Sequence, residues 1–222
     1  MEICKLEHIR KDYRMGELVS PLTDANLTVN SGDFIAIEGP SGIGKSTLLY
    51  VMGTLLKSDG GKLVIDGVDV STLNDDQLAE LRAQKIGFLF QDSNMIQALT
   101  LRDNLLFTQK IGKKAGRPTR DVDELLERFG LDDRAHFLPG QLSGGQRRRA
   151  VAARSLINCP SLILADEPTN DLDNTWAEEI IKILQEEAER GAAVIMVTHN
   201  TQWSQMAKRR FHFEDGKLLD ME

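Results

Sequence analysis

Cysteine and long apolar runs are scarce in this sequence of 222 residues. Its two cysteines, Cys4 and Cys159, have no disulfide-framework spacing, which fits a reducing compartment. No run of about 18 apolar residues occurs, so no membrane-spanning helix is predicted. The first residues, MEICKLEHIRKDY, carry charges throughout and lack the apolar stretch of a signal peptide. We therefore expect a cytosolic protein that meets a membrane only through a partner.

An excess of positive charge is also missing. The chain has 27 Lys and Arg against 34 Asp and Glu, a net charge of −7. This balance disfavours a main role in holding nucleic acid, because phosphates would be repelled. The hydrophobic share of 41% and charged share of 27% are ordinary for a soluble globular protein. The length suits one domain.

Four short apolar runs predict an α/β fold with a mainly parallel sheet. They occupy residues 34–37, 86–90, 162–165 and 194–197. They are continuous rather than alternating, as is typical of strands covered on both faces. Apolar residues recur at helical spacing over 174–190, so the last two runs and this helix predict a βαβ unit.

Polar residues of chemical interest follow each of these runs. The four runs lead into EGPSGIGKST, Gln91-Asp92, Asp166-Glu167 and Thr198-His199. In an open α/β sheet, ligands bind beyond the carboxyl ends of the strands. We therefore expect one site at that edge of the sheet.

The remaining segments predict two additions to this core. Alternation near the N-terminus and the Asp-Gly turn in 63–70 predict an antiparallel β layer. Residues 92–155 carry helical patterns and are predicted to form an inserted helical subdomain. We expect a single domain, 1–222, with its core in 1–91 and 156–222. The basic stretch 110–121 is interpreted as a solvated flexible loop, or alternatively as a contact for anionic lipid headgroups.

A phosphate-binding loop is predicted after the first strand. Residues 39–46, GPSGIGKS, fit G-x-x-x-x-G-K-[ST] between a strand and a helix. Glycines let the backbone N–H groups fold around phosphate, and the helix start adds partial positive charge. Lys45 would reach the outer phosphates and Ser46 would bind Mg²⁺. The expected nucleotide-binding residues are Gly39, Pro40, Ser41, Gly42, Ile43, Gly44, Lys45, Ser46 and Thr47.

The loop alone leaves kinases, GTPases and ATPases open, and the acidic pair narrows the choice. Asp166 follows an apolar strand and suits a second contact to Mg²⁺. Glu167 is a candidate general base for an attacking water. The guanine-reading motif N-K-x-D has no good match, since TNDLD at 169–173 lacks the lysine. This disfavours a GTPase.

The stretch QLSGGQRRRAVAARSL, residues 141–156, admits three interpretations: a nucleic-acid contact, a phosphate site, or a glycine turn before a charged helix. We expect 143–146 to precede a helix over 147–157 and to offer a second anion site. The consecutive arginines 147–149 would spread over about 200° of a helix, so they form no single basic face. We expect two solvated arginines and one internal pairing.

Together, LSGGQ at 142–146, the phosphate loop, Gln91 and LILADEP at 162–168 resemble the nucleotide-binding subunit of an ATP-binding-cassette (ABC) transporter. The resemblance covers nearly the whole chain. More narrowly, 87–105 and 164–175 resemble the macrolide-exporter, lipoprotein-release and cell-division (MacB/LolD/FtsE-like) group. It implies the ABC ATPase fold, with a P-loop NTPase core.

The resemblance also implies a head-to-tail homodimer with two ATP molecules at the interface. The signature residues of one copy would close on the γ-phosphate held by residues 39–47 of the other. Gln91 would contact Mg²⁺ and sense the membrane partner, and His199 would contact the γ-phosphate. Asp173 would bridge the two protomers, and Tyr13 would stack on adenine. The signature residues are Ser143, Gly144, Gly145 and Gln146. The resemblance implies that the catalytic residues are Glu167, His199, Lys45 and Gln91. It implies that the residues at the metal are Ser46, Gln91 and Asp166.

The sequence departs from the family pattern at a few positions. Ile43 replaces a small residue in the phosphate loop, and Asn170-Asp171 stand where Gly-Asn is usual. Asn200 follows His199 where Asp is common, and Trp176 is unexpected after Asp173. The backbone N–H of Ile43 is still available, so ATP binding is expected to survive, and none of these changes removes a catalytic group.

The resemblance implies an ATPase subunit that drives a separate integral membrane permease of efflux, lipoprotein-release or peptide-resistance type. It would lie at the cytoplasmic face of the cell membrane. The alternative is a soluble ATPase of the same family that acts as a scaffold or on nucleic acid. A P-loop small-molecule kinase explains neither LSGGQ nor His199. Expected ligands are ATP and Mg²⁺, and expected partners are a second copy and a permease, with no nucleic acid.

Overall fold

A computed structural model describes residues 1–90, 92 and 94–221 of the chain. Its centre is a six-stranded sheet in the order β10-β9-β3-β8-β7-β6. Strands β3, β6, β7, β8 and β9 run parallel, and β10 pairs antiparallel with β9 at one edge. The strands are β3 (Phe34–Glu38), β6 (Ile86–Leu89), β7 (Leu162–Asp166), β8 (Ala193–Val197), β9 (Arg209–Glu214) and β10 (Lys217–Met221). The four predicted runs thus form the four strands β3, β6, β7 and β8, and the predicted α/β fold is confirmed.

A second, antiparallel sheet covers one face of this core. Its order is β2-β1-β4-β5, and its strands are β1 (Glu2–Met15), β2 (Glu17–Asn30), β4 (Gly60–Ile65) and β5 (Val68–Asp69). Leu6, Leu22 and Leu27 of this sheet are buried in one hydrophobic cluster with Leu48 of the first helix. Leu22 and Leu27 are five residues apart on β2, so strict alternation does not hold along the strand, and register shifts interrupt its pairing with β1. The predicted antiparallel β layer is present.

Seven α-helices complete the fold in the part of the chain that the structure describes. They are α1 (Lys45–Met52), α2 (Asp75–Lys85), α3 (Leu101–Lys114), α4 (Val122–Arg128), α5 (Gly144–Leu156), α6 (Asn174–Glu189) and α7 (Thr201–Ser204), with short 3₁₀ turns at 70–72, 132–134 and 139–141. Helices α3 to α5 lie between β6 and β7 in the chain, as expected of an inserted helical subdomain. Among the described helices, none is both long and apolar enough to cross a bilayer.

Helix α5 begins three residues earlier than predicted, at Gly144 instead of residue 147. Ser143 caps it: its Oγ accepts from the Gln146 backbone N–H at 3.2 Å, and Gln146 Oε1 accepts from the Ser143 N–H at 2.9 Å. This reciprocal capping box offsets the low helix propensity of the two glycines. The LSGGQ segment is therefore the start of the helix itself.

The basic stretch 110–121 is only partly a loop, so that prediction was wrong. Helix α3 continues through Lys114. Arg117 donates to the carbonyl of Cys159 at 2.7 Å, and Arg120 pairs with the buried Glu187. Two of its five cations therefore point into the protein, which weakens the interpretation as a lipid contact.

Candidate active site

The phosphate loop joins β3 to α1 in a conformation that needs glycine. Gly39, Gly42 and Gly44 have φ values of 152°, 80° and 117°, which residues with a Cβ rarely adopt. A Cβ on Gly44 would also lie 2.7 Å from the carbonyl oxygen of Pro21 on β2. The loop is thus shaped both by its own dihedrals and by close packing on the antiparallel layer.

Lys45 is the first residue of α1 and is folded back over this loop. It is only 6% exposed, and its Nζ donates to the carbonyl oxygens of Gly39 at 2.7 Å and Pro40 at 2.6 Å. Burial lowers the pKa of the Lys45 ammonium, while the charges of Glu167 and Asp166 oppose that shift. The arrangement holds a positive charge beside the loop, where an anion can meet it.

Asp166 ends β7 and lies beside Ser46. It is 3% exposed, and its Oδ2 has no hydrogen-bond partner among the described residues. Burial raises the pKa of the Asp166 carboxyl, whereas a hydrogen bond from Ser46 and the charge of Lys45 act in the opposite direction. A buried carboxylate oxygen with no partner, next to a hydroxyl, has the hard oxygen character that Mg²⁺ prefers. The pair therefore fits that ion.

No three His, Cys, Asp or Glu side chains cluster into a metal site within the described ranges. This agrees with the usual mode of Mg²⁺, which takes one or two protein ligands and completes its shell with water and phosphate oxygens. The third predicted ligand, Gln91, lies outside the described residues. Its role stays a prediction.

Glu167 follows Asp166 and is fixed by the next strand. Its φ is 48°, a strained value for a residue with a side chain, and its N–H donates to the Val197 carbonyl at 2.9 Å. Oε1 accepts from the backbone N–H of His199 at 3.0 Å and lies 2.7 Å from His199 Nδ1. Oε2 is buried with no partner in the described part of the chain. One carboxylate oxygen is thus anchored and the other is available to accept a proton.

A cavity of about 450 Å³ brings most of the predicted residues together at the carboxyl edge of the sheet. Its lining includes Tyr13, Ser41, Gly42, Gly44, Lys45, Ser46, Thr47, Asp166, Glu167 and His199. Val19, Pro21 and Asn170 also line it and were not predicted. Val19 pairs with Tyr13 across β1 and β2. Its place in the cavity could therefore have been predicted from the register of this hairpin, although no motif marks it.

The signature residues and Asp173 are absent from the lining of this cavity, and so are Gly39, Pro40 and Ile43 of the phosphate loop. Ser143 and Asp173 are exposed, and both cap the start of a helix, α5 and α6 respectively. Gly145 packs on the segment after β7, because a Cβ there would lie 3.1 Å from the Asp171 carbonyl oxygen. In the chain's own structure, the start of α5 therefore lies outside the cavity lining.

The prediction of two solvated arginines in α5 was wrong, since all three donate to backbone carbonyls. Arg147 donates to Leu142, and Arg148 is buried. Arg149 donates to Phe129 at 2.7 Å and stacks at 4.0 Å from the ring centroid of Trp176. This stack accounts for the unexpected tryptophan, which contacts the helical subdomain.

Comparison with known proteins agrees with this geometry. The family model described as "ABC transporter" matches residues 22–170. A lipoprotein-releasing system ATP-binding protein, LolD 1 of Rhodopseudomonas palustris, is 39% identical over 224 residues, covering 98% of each chain. The macrolide export ATP-binding/permease protein MacB of Syntrophobacter fumaroxidans is 40% identical over 98% of this chain, which spans only 31% of that protein.

A solved structure is also similar. The dimeric ATP-binding cassette MJ0796, bound to ADP and Pi in a post-hydrolysis state, superposes with a TM-score of 0.91 at 35% sequence identity. The match covers 99% of this chain and 98% of that one.

Proposed function

The chain belongs to the ABC transporter family and is an ATPase of the ABC type; from this premise we propose that it drives a separate membrane-spanning permease. The observation that supports catalysis most strongly is the Glu167 carboxylate, which is anchored through Oε1 and has Oε2 free, beside Lys45 and Asp166. The names of the two relatives support a transport role of the efflux or lipoprotein-release type.

In the proposed reaction, Glu167 Oε2 accepts a proton from a water molecule. The water oxygen forms a bond to the γ-phosphorus of ATP, the bond from that phosphorus to the bridging oxygen breaks, and ADP and phosphate leave. Mg²⁺, held by Ser46 and Asp166 with Gln91, would neutralise charge on the phosphates. Lys45 exchanges its two loop carbonyls for phosphate oxygens, and His199 keeps the Glu167 carboxylate oriented.

We propose that a second copy completes the site. Ser143 is exposed at the start of α5, outside the chain's own cavity, and the N-terminus of a helix suits an anion. The dimeric state of MJ0796 supports this arrangement. ATP between two copies would favour the closed dimer, and hydrolysis would release it. Asp173 would bridge the copies, and Tyr13, which lines the cavity, would stack on adenine.

The variant Glu167→Gln tests the catalytic assignment. Glutamine preserves the size of the side chain and an oxygen for the His199 N–H, but it cannot serve as a base. We expect kcat for ATP hydrolysis to fall about 10²–10⁴-fold with ATP affinity retained. Thr175→Ala, an exposed position outside the cavity, is the matched control. A decrease in kcat of less than tenfold would refute the general-base role.

The membrane partner is tested by purifying the tagged chain from detergent-solubilised membranes and identifying what accompanies it. A stoichiometric integral membrane protein would support the proposal and a location at the cytoplasmic face of the membrane. A soluble preparation that carries nucleic acid or a cytosolic protein instead would contradict it. The ATP chemistry would stand in either case.

A further inference from the structure

Arg148 is a buried cation to which the reaction above gives no role. It lies on α5, is 5% exposed, and reaches two segments that are distant in sequence. Its Nη1 donates to the carbonyl oxygen of Phe90 at 2.5 Å, and its Nε donates to that of Asn170 at 3.2 Å. Phe90 follows β6, and Asn170 lies in the turn after β7. One side chain thus joins the signature helix to the ends of two strands at the active-site edge.

The contact with Asn170 continues to Glu167. The backbone N–H of Asn170 donates to the Glu167 carbonyl at 3.2 Å, and Asn170 also lines the cavity. Glu167 has a strained positive φ, and such a conformation persists only where its surroundings enforce it. Val197 holds its N–H from one side. Arg148 supports the other end of the same turn.

Nearby carboxylates offset the cost of burying this guanidinium. Burial lowers the pKa of Arg148, while the charges of Asp171, Asp166, Asp92 and Glu167 act in the opposite direction. Removing the cation would therefore leave two backbone carbonyls without their donor and leave Lys45 as the remaining nearby counter-charge of the site carboxylates. This gives the residue a structural link and an electrostatic link to the same reaction centre.

We propose that Arg148 is a positioning residue for ATP hydrolysis, which fixes the Glu167 turn and the end of β6 against α5. The inference rests on the proposed function. Because Arg148 donates neither to the phosphate loop nor to Lys45, we expect its loss to act mainly through the placement of the base. We expect Arg148→Met to lower kcat about 10–100-fold, the effect of misplacing a reacting group by about 1 Å, with KM for ATP nearly unchanged.

The test is a double-mutant cycle with Glu167→Gln, measured as single-turnover hydrolysis by excess enzyme, with circular dichroism to verify folding. If Arg148 acts through Glu167, Arg148→Met has little further effect once the carboxylate is gone. Arg148→Lys keeps the positive charge but can donate to only one of the two carbonyls at a time, so it should recover part of kcat. It also replaces Arg148→Met in the test if the methionine variant fails to fold. Arg117→Met, which removes a guanidinium from the Cys159 carbonyl outside the cavity, controls for a general loss of stability.

An unchanged kcat in folded Arg148→Met would overturn the inference, and so would a kcat in Arg148→Lys no higher than that of Arg148→Met. So would an effect that is fully additive with Glu167→Gln, or one that Arg117→Met reproduces. A wild-type chain without ATPase activity would instead refute the proposed function. The two failures are thereby distinguishable.

Discussion

Replacing Gly44 with alanine tests whether the phosphate loop depends on its close approach to β2. Gly44 caps α1 with φ 117° and ψ 3°, a conformation that residues with a Cβ avoid. A Cβ there would lie 2.7 Å from the Pro21 carbonyl oxygen and 2.8 Å from Pro21 Cβ. Because the nearest atom belongs to the backbone, either the loop or the strand must move.

The expected cost has two parts. Backbone strain of this kind costs about 1–3 kcal/mol, and an overpacked contact costs about 1–3 kcal/mol more. The sum of about 2–6 kcal/mol is a large share of the about 5–15 kcal/mol that stabilises a typical protein. For a domain of this size, the middle of that range lowers Tm by roughly 12 °C.

Gly42→Ala is the matched control. Its φ is 80°, nearer than the 117° of Gly44 to the left-handed region that residues with a Cβ can adopt, and no atom of the described residues lies within 4 Å of the added Cβ. Gly42→Ala therefore has a milder strain and no close contact. Urea and thermal unfolding without nucleotide should place Gly44→Ala about 1–3 kcal/mol below Gly42→Ala. ATP affinity should also fall further, because the loop moves. Equal stability of the two variants would refute the packing argument.

Three further substitutions have defined outcomes. Asp166→Asn should raise Tm at neutral pH and abolish magnesium-dependent hydrolysis. Burial raises the pKa of the Asp166 carboxyl, so its charge destabilises the fold at neutral pH. Calorimetry should show the gain in Tm shrinking as the pH falls toward the ordinary pKa of aspartate, and a gain that does not change with pH would contradict this. Trp176→Leu should lower the free energy of unfolding by about 1–2 kcal/mol in urea titrations, since the Arg149 guanidinium loses its ring; no change would contradict the stack. Glu187→Ala should lower the free energy of unfolding by about 3–5 kcal/mol in the same assay, because Arg120 loses its buried partner. A decrease under about 1 kcal/mol would contradict this and mean that solvent replaces the ion pair.

Much of the fold could be predicted because its signals are local. The apolar runs of β3, β6, β7 and β8 are continuous, and the phosphate loop has fixed spacing between a strand and a helix. The start of α5 was misplaced for an equally local reason. Two glycines suggest a loop, and the pattern alone did not show that the Ser143 and Gln146 side chains would cap each other's backbone.

Long-range contacts explain what the sequence did not reveal. The acceptors of Arg148, at Phe90 and Asn170, are carbonyls in distant segments, and no residue type marks them. The contact between Glu167 and His199 was easier to predict. These residues follow β7 and β8, which are neighbours in the sheet, so their contact follows once the strand order is known.

The central claim is that ATP is bound between two copies of the chain, and the oligomeric state of Glu167→Gln tests it most directly. Light scattering of Glu167→Gln with saturating ATP and Mg²⁺ should give twice the monomer mass. Without nucleotide, the same measurement should give the monomer mass. Adding Ser143→Arg, which blocks the start of α5, should abolish the dimer while ATP still binds to the phosphate loop of each monomer. A Glu167→Gln protein that binds ATP and Mg²⁺ yet stays monomeric would contradict the account.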